Sequence, residues 1–164
     1  MKNTPNDKLS AEYFVKKYAD MVYRIALLQT KNKSDADDVF QEVFLRLVKY
    51  IDTIGSEEHG KRWLIRVTIN RAKTHFTSAW YRHTLLRETN EEESYELEFN
   101  EDKEIIYQAV KELPEKYRTV IHLFYYEELS IVEIAEILNK NTNTIKSQLS
   151  RGREILKEKL KGEF

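Results

Sequence analysis

The sequence predicts an all-α protein built from two small helical domains joined by a flexible linker. Three observations carry that expectation. Apolar residues recur at three- and four-residue spacing through most of the 164 residues, interrupted by only four Gly and two Pro. The stretch 84–100 is acidic and loses the periodicity, as a solvated tether does. Residues 130–160 read as two helices separated by a three-residue break, the helix-turn-helix arrangement. The expected division is a first domain at 1–83, a linker at 84–100 and a second domain at 101–164.

In chain order, residues 1–9 are polar and expected to fray. Ser10 is placed to cap a first helix running to about residue 29, with Tyr13, Phe14, Tyr18, Met21, Val22, Ile25 and Leu28 as its buried stripe. Residues 31–33 form a turn, and Ser34 caps a second helix. Asp35, Asp37 and Asp38 in its first turn favour the positive end of the helix dipole. Phe40, Val43, Phe44, Leu47, Val48 and Ile51 mark its inner face. Asp38, Gln41, Glu42, Leu45 and Arg46 look outward, as either a solubilising surface or a docking face.

Residues 52–60 form a polar break containing Gly55 and Gly60. The third helix, from Trp63 onward, is mixed all round. Leu64, Val67 and Thr68, then Arg71, Ala72 and His75, do not make one clean apolar stripe. Trp63, Arg66, Asn70, Arg71, Lys73, Phe76, Trp80, Tyr81 and Arg82 are interleaved. The cations attract a phosphate backbone. The aromatics either pack the helices together or offer flat faces to unstacked bases, a contact worth about 1–3 kcal/mol each.

A helix resumes over 101–113 through Ile105, Ile106, Ala109 and Val110. Pro114 suits the first turn of the next, which carries Tyr117, Val120, Ile121, Phe124 and Tyr125. Residues 127–129 turn into the helix-turn-helix. There Ser130 and Glu133 make a capping box. Ile131, Ile134, Ala135 and Leu138 form one buried face, and Ile145, Leu149, Leu156 and Leu160 form the next. Asn139 suits a left-handed turn residue and Asn141 a cap. The outward positions of the last helix are Asn143, Thr144, Lys146, Ser147, Ser150 and Arg151. These short hydrogen-bonders and cations are the side chains that read base edges and hold phosphates.

The net charge of −1 conceals a strong segregation. From 61 to 87 there are seven cations and no carboxylate. From 88 to 104 there are nine carboxylates and one Lys. From 139 to 164 there are seven cations and three Glu. Two basic blocks around an acidic one imply two DNA-contacting surfaces and a solvated tether. The absence of Cys excludes a disulfide framework and a thiolate zinc site, and fits a reducing compartment. No apolar run reaches the roughly 18 residues of a membrane span and no secretory pattern opens the chain, so a soluble, cytoplasmic protein is expected. No phosphate-binding glycine loop, nucleophile elbow or metalloprotease motif occurs. His59, His75, His83 and His122 are scattered, without metal-ligand spacing. No enzymatic activity, cofactor or metal is expected.

Three stretches resemble the bacterial RNA polymerase sigma factors of the sigma-70 family, extracytoplasmic-function (ECF) group. Residues 35–47 (DADDVFQEVFLRL) are similar to the second helix of the sigma-2 domain, and 63–70 (WLIRVTIN) to its promoter-melting helix. Residues 113–153 are similar to sigma-4, including Lys146-Ser147 and Ser150-Arg151. The resemblance implies a sigma-2 bundle and a sigma-4 helix-turn-helix. Sigma-2 would dock on the clamp coiled coil of core polymerase through Asp38, Gln41, Glu42 and Leu45. It would open the −10 region through Arg66, Asn70, Arg71 and Lys73, with Trp63 near the strand opening. Residues 54–61 would form a loop holding an extruded non-template base, offsetting an unpairing cost of a few kcal/mol. Sigma-4 would contact the polymerase flap and read the −35 element through Asn143, Thr144, Lys146, Ser147, Ser150 and Arg151. An anti-sigma partner, often membrane-anchored, is implied. Asn139 replaces the usual turn Gly, and Gln148 stands where many members have Arg.

The residues themselves leave two other readings open. One is a free-standing regulator using only the C-terminal reader; the other is a helical adaptor that does not touch DNA. The basic–aromatic helix separates a polymerase subunit from the regulator, because a duplex-only reader has no use for unstacked-base platforms. The polar face of the last helix separates both from the adaptor.

Overall fold

The computed structural model describes residues 9–86 and 101–162, with side-chain geometry over 9–75 and 101–162. Every regular element among them is helical. Three helices, α1 (Ala11–Thr30), α2 (Lys33–Tyr50) and α3 (Glu57–Leu86), form the first unit. Four, α4 (Glu101–Lys111), α5 (Glu115–Ile121), α6 (Ile131–Leu138) and α7 (Thr142–Lys159), form the second. Chain contacts divide the units between Glu93 and Ser94. No described helix is long and apolar enough to cross a membrane.

In the first unit, Ser10 caps α1, its side chain accepting the Tyr13 N–H. Phe14, Tyr18, Met21, Val22, Ile25 and Leu28 are buried along one stripe. Lys31 closes α1 in the left-handed region at φ 59°. That leaves Asn32, not Ser34, extended and able to cap α2, where Asn32 Oδ1 accepts the Asp35 N–H at 2.9 Å. The α2 core is Ala36, Val39, Val43, Phe44 and Leu47. Val48, expected inside, is 61% exposed, because the buried stripe runs through Val39 instead.

The third helix differs most from expectation. It starts at Glu57, capped by the Ser56 hydroxyl, which accepts the His59 N–H. Its buried face runs through Leu64, Ile65, Thr68, Ile69 and Ala72, a stripe that includes a polar residue, in keeping with the mixed pattern. Thr68 tolerates burial because its hydroxyl donates to the Leu64 carbonyl. Gly60, expected in a break, lies inside the helix and lets it close on Phe14. A Cβ there would sit 2.3 Å from a ring that is fully buried. The helix continues through Leu86, past the expected boundary at 83. The rest of the expected linker, 87–100, lies outside the described residues. So do the expected frayed residues 1–8 and the side chains of Phe76, Trp80, Tyr81, Arg82 and His83.

In the second unit, Pro114 precedes α5, and the buried Arg118 guanidinium donates to the Leu113 carbonyl, fixing the α4–α5 corner. Burial lowers that guanidinium's pKa. A π-helical turn, His122–Tyr126, widens the end of α5. It places His122 against buried Glu127 at 2.7 Å, while Tyr125 points outward at 51% exposure. The helix-turn-helix has the expected punctuation. Ser130 and Glu133 form a reciprocal capping box, Asn139 is left-handed at φ 55°, and Asn141 caps α7. Ile134, Ala135 and Ile137 of α6 are buried, as are Ile145, Leu149 and Gly152 of α7. Gly152 permits close approach: an added Cβ would lie 2.9 Å from Ile121 Cγ1.

Candidate nucleic-acid interface

With α7 anchored by Ile145 and Leu149, its outer face follows from helical geometry. Asn143, Lys146, Ser147, Ser150 and Arg151 are exposed. Thr144 is half-buried and turned toward its own cap: its N–H and Oγ1 both reach Asn141 Oδ1, at 2.8 and 2.9 Å. Its hydroxyl therefore serves the helix start. Arg151 pairs with Glu154 at 3.1 Å, an exposed i,i+3 bridge of the kind worth at most about 1 kcal/mol, so the guanidinium is easily redirected. Arg153 instead holds the Tyr125 hydroxyl at 2.6 Å and lies over the Phe124 and Tyr125 rings.

On α3, burial of Leu64, Ile65, Thr68 and Ile69 forces Arg66, Asn70 and Lys73 outward, and all three are exposed. Trp63 is half-buried. Its ring centroid lies 6.5 Å from that of Tyr50 at the end of α2, whose other neighbour is the Lys49 ammonium. Tyr50 was not singled out from the sequence; only the meeting of the ends of α2 and α3 brings the two rings together.

Residues 54–61 do not form a loop. Only 54–56 precede the helix, and Ile54 is buried. Gly55 N–H donates to His59 Nδ1 at 3.2 Å, drawing the turn against the first helical turn. Glu57 ties the segment to α1. Its carboxylate accepts from the Tyr13 hydroxyl, from Lys17 Nζ at 2.5 Å and from the Tyr18 hydroxyl at 3.0 Å. The Lys17 and Tyr13 hydrogen bonds hold its pKa down at about 2. Lys17 is raised in turn, by its hydrogen bond to Glu57. The acidic look of 56–59 is thus largely neutralised within the fold.

The outer face of α2 presents Asp38, Gln41 and Leu45, the last 71% exposed, with Val48 one turn beyond. Glu42 is only half-exposed, because its carboxylate bridges to Arg71 of α3 at 2.7 Å. A residue expected on the docking face and one expected on the DNA face therefore hold each other. His75 makes a second cross-link: its Nε2 lies 3.1 Å from Asp35 Oδ1 and 3.7 Å from Asp38 Oδ2. His75 has no partner at metal-ligand spacing in the sequence; in the fold it is half-buried between two carboxylates.

Comparison with known proteins accounts for both units. A family model described as sigma-70 region 2 matches residues 14–82, and one described as sigma-70, region 4, matches 103–156. RNA polymerase sigma factor SigV of Bacillus subtilis is 31% identical over 138 residues, covering 84% of this chain and 83% of the relative. ECF RNA polymerase sigma factor SigW of the same organism is 32% identical over 162 residues, covering 88% and 85%. In fold, the chain is similar to the sigma factor RpoE of Bartonella quintana, at a TM-score of 0.69 and 19% identity over 92% of this chain and 96% of that one. The chain belongs to the ECF group of the sigma-70 family, the RNA polymerase sigma factors that direct transcription to start at promoters.

Proposed function

We propose that three faces divide the work of this sigma factor. The observation that carries the reading is that two separate helices, α3 and α7, each bury an apolar stripe and expose cations and short polar side chains opposite it, while α2 exposes acid and apolar side chains. Asn143, Lys146, Ser147, Ser150 and Arg151 of α7 enter the −35 major groove, with Thr144 holding the start of the reading helix. Arg66, Asn70 and Lys73 of α3 hold the −10 strand. Arg71 joins them by leaving Glu42, an exchange that costs about 0–1 kcal/mol for a half-exposed pair. Trp63 lies at the strand opening, and the short turn 54–56, braced by Glu57 and His59, borders the extruded base. Asp38, Gln41, Glu42 and Leu45 dock on the clamp coiled coil of core polymerase, with Val48 enlarging their apolar part; the second unit meets the flap.

The first domain ends with α3 at Leu86 and the second begins with α4 at Glu101, with the tether between them, and the chain acts in the cytoplasm as a non-catalytic subunit. The RpoE relative was solved with the anti-sigma factor NepR, and a second protein of similar fold, CnrH, with the cytosolic domain of CnrY. An anti-sigma factor covering these faces, membrane-anchored in many systems, is the corresponding partner here.

In-vitro transcription with core enzyme and a randomised promoter library tests the reading. Two enriched sequence blocks, near −35 and −10, are expected. Enrichment of a single block, or none, overturns the division of labour.

A further inference from the structure

We propose that Asp35, Asp38 and His75 form a binding site for a divalent transition-metal cation that clips α2 to α3. Asp35 and Asp38 are three residues apart in the first turns of α2, so both carboxylates project from one face. His75 arrives from the facing helix. Its Nε2 is 3.1 Å from one carboxylate oxygen and 3.7 Å from the other, and the three donor atoms all lie within 4.8 Å of one another.

Those separations fit a metal. Donors arranged tetrahedrally at bonds of about 2.0–2.1 Å stand about 3.3–3.4 Å apart. The two observed imidazole–carboxylate distances bracket that edge. Asp38, the exposed ligand at 60%, is the one that adjusts to close the cage; the Asp35 and His75 side chains are 11% and 15% exposed and already 3.1 Å apart. The exposed Asp38 side provides the entry path and room for water in the remaining position.

The donor set selects the class of ion. One imidazole nitrogen with two carboxylates suits Zn²⁺, Co²⁺ or Mn²⁺. Ca²⁺ prefers six to eight oxygens, and thiolate-seeking ions have no sulfur here. Two negative charges outweigh the roughly half positive charge at the start of α2. The third nearby acid, Asp37, takes no part; it pairs with Lys33 at 3.4 Å. A metal bound at Nε2 uses that nitrogen's lone pair, so in the bound form the imidazole N–H lies on Nδ1. Occupation also engages Asp38, so on the docking reading above it withdraws one carboxylate from the polymerase face. The metal site itself does not depend on that reading.

The test uses tag-free, full-length protein freed of metal by chelator dialysis. Co²⁺ is added and followed by its visible absorption, and Zn²⁺ is followed by calorimetry and thermal melting. One equivalent per chain and a raised Tm are expected. His75→Gln and Asp38→Asn each weaken binding at least about tenfold, while His59→Gln, at an exposed His elsewhere, does not. Circular dichroism identifies any variant that fails to fold; Asp38→Asn, at an exposed position, keeps the test decisive if His75→Gln does. No saturable binding of either metal, or binding that these two ligand variants leave intact, overturns the proposal. Because no polymerase or DNA is present, failure here leaves the transcription reading untouched, and the reverse also holds.

Discussion

Replacing Gly60 by Ala tests the packing that positions the DNA-facing helix, because two effects oppose each other there. Within a helix, Gly→Ala is worth about 1 kcal/mol in favour of Ala. At Gly60 the added Cβ would stand 2.3 and 2.4 Å from the Phe14 ring and 3.2 Å from Ile54 Cγ2. Carbon contacts relax at about 3.5–4.0 Å, so the ring must retreat by more than an ångström. Phe14 is fully buried, edge-on to Tyr13 and stacked on Tyr18, and has nowhere to go. Overpacking of a tight core costs about 1–3 kcal/mol, and a clash this short belongs at the upper end. The net effect is a destabilisation of about 1–2 kcal/mol. With a urea slope of about 1 kcal/mol per M for so small a unit, the midpoint falls by about 1 M or more. Both tryptophans, Trp63 and Trp80, lie in α3, so fluorescence follows the first unit alone. Gly55→Ala is the control: nothing lies within 4 Å of its added Cβ, and its effect stays within about 0.5 kcal/mol. A Gly60→Ala protein as stable as wild type, or more so, would refute the close approach of α3 to α1.

Three further outcomes follow. Glu57 has a folded pKa of about 2 against an ordinary 4.5, so its stabilising contribution is complete above about pH 4.5 and is lost as pH falls toward 2. The stability gap between wild type and Glu57→Gln should therefore shrink over that window in acid titrations; a constant gap contradicts it. Lys146→Ala, in holoenzyme bound to promoter DNA, should weaken binding across sequences and lower the salt slope by about one, and Arg151→Ala should reduce promoter output. Unchanged output from both variants removes the −35 assignment. Charge reversal at Asp38 and Glu42 should weaken capture of core polymerase while leaving the fold intact, since the Glu42–Arg71 bridge is worth at most about 1 kcal/mol. Retained co-purification counts against the docking face.

Local rules carried much of the architecture. Ser10, Ser130, Glu133, Asn139 and Asn141 act within three or four residues of themselves, and each stands where short-range capping chemistry expects it. The choice between Asn32 and Ser34 was not local. Both can cap, and the left-handed Lys31 that ends α1 decided for Asn32. The stripe of α3 was hidden by its own composition, because a buried Thr and a buried Gly interrupt the apolar pattern. Its early start was hidden by Glu57 and Glu58, which look like loop residues yet suit a helix's first turn. The Glu42–Arg71, His75–Asp35 and Tyr50–Trp63 pairings depend on the register between α2 and α3. No spacing within one segment reports that register. Five of the six outward positions on α7 were legible because two buried residues, Ile145 and Leu149, fix the rotation of the helix; Thr144 was not, because its hydroxyl turns to the Asn141 cap.

The central claim is that the cationic faces of α3 and α7 act on promoter DNA once α2 is seated on polymerase. The most direct measurement is the affinity of this chain for a cognate promoter duplex, alone and after addition of core enzyme, at one fixed salt concentration. The account predicts weak, sequence-indifferent binding by the free chain and tight, site-specific binding in the presence of core. Tight specific binding by the chain alone, unchanged when core is added, would contradict it.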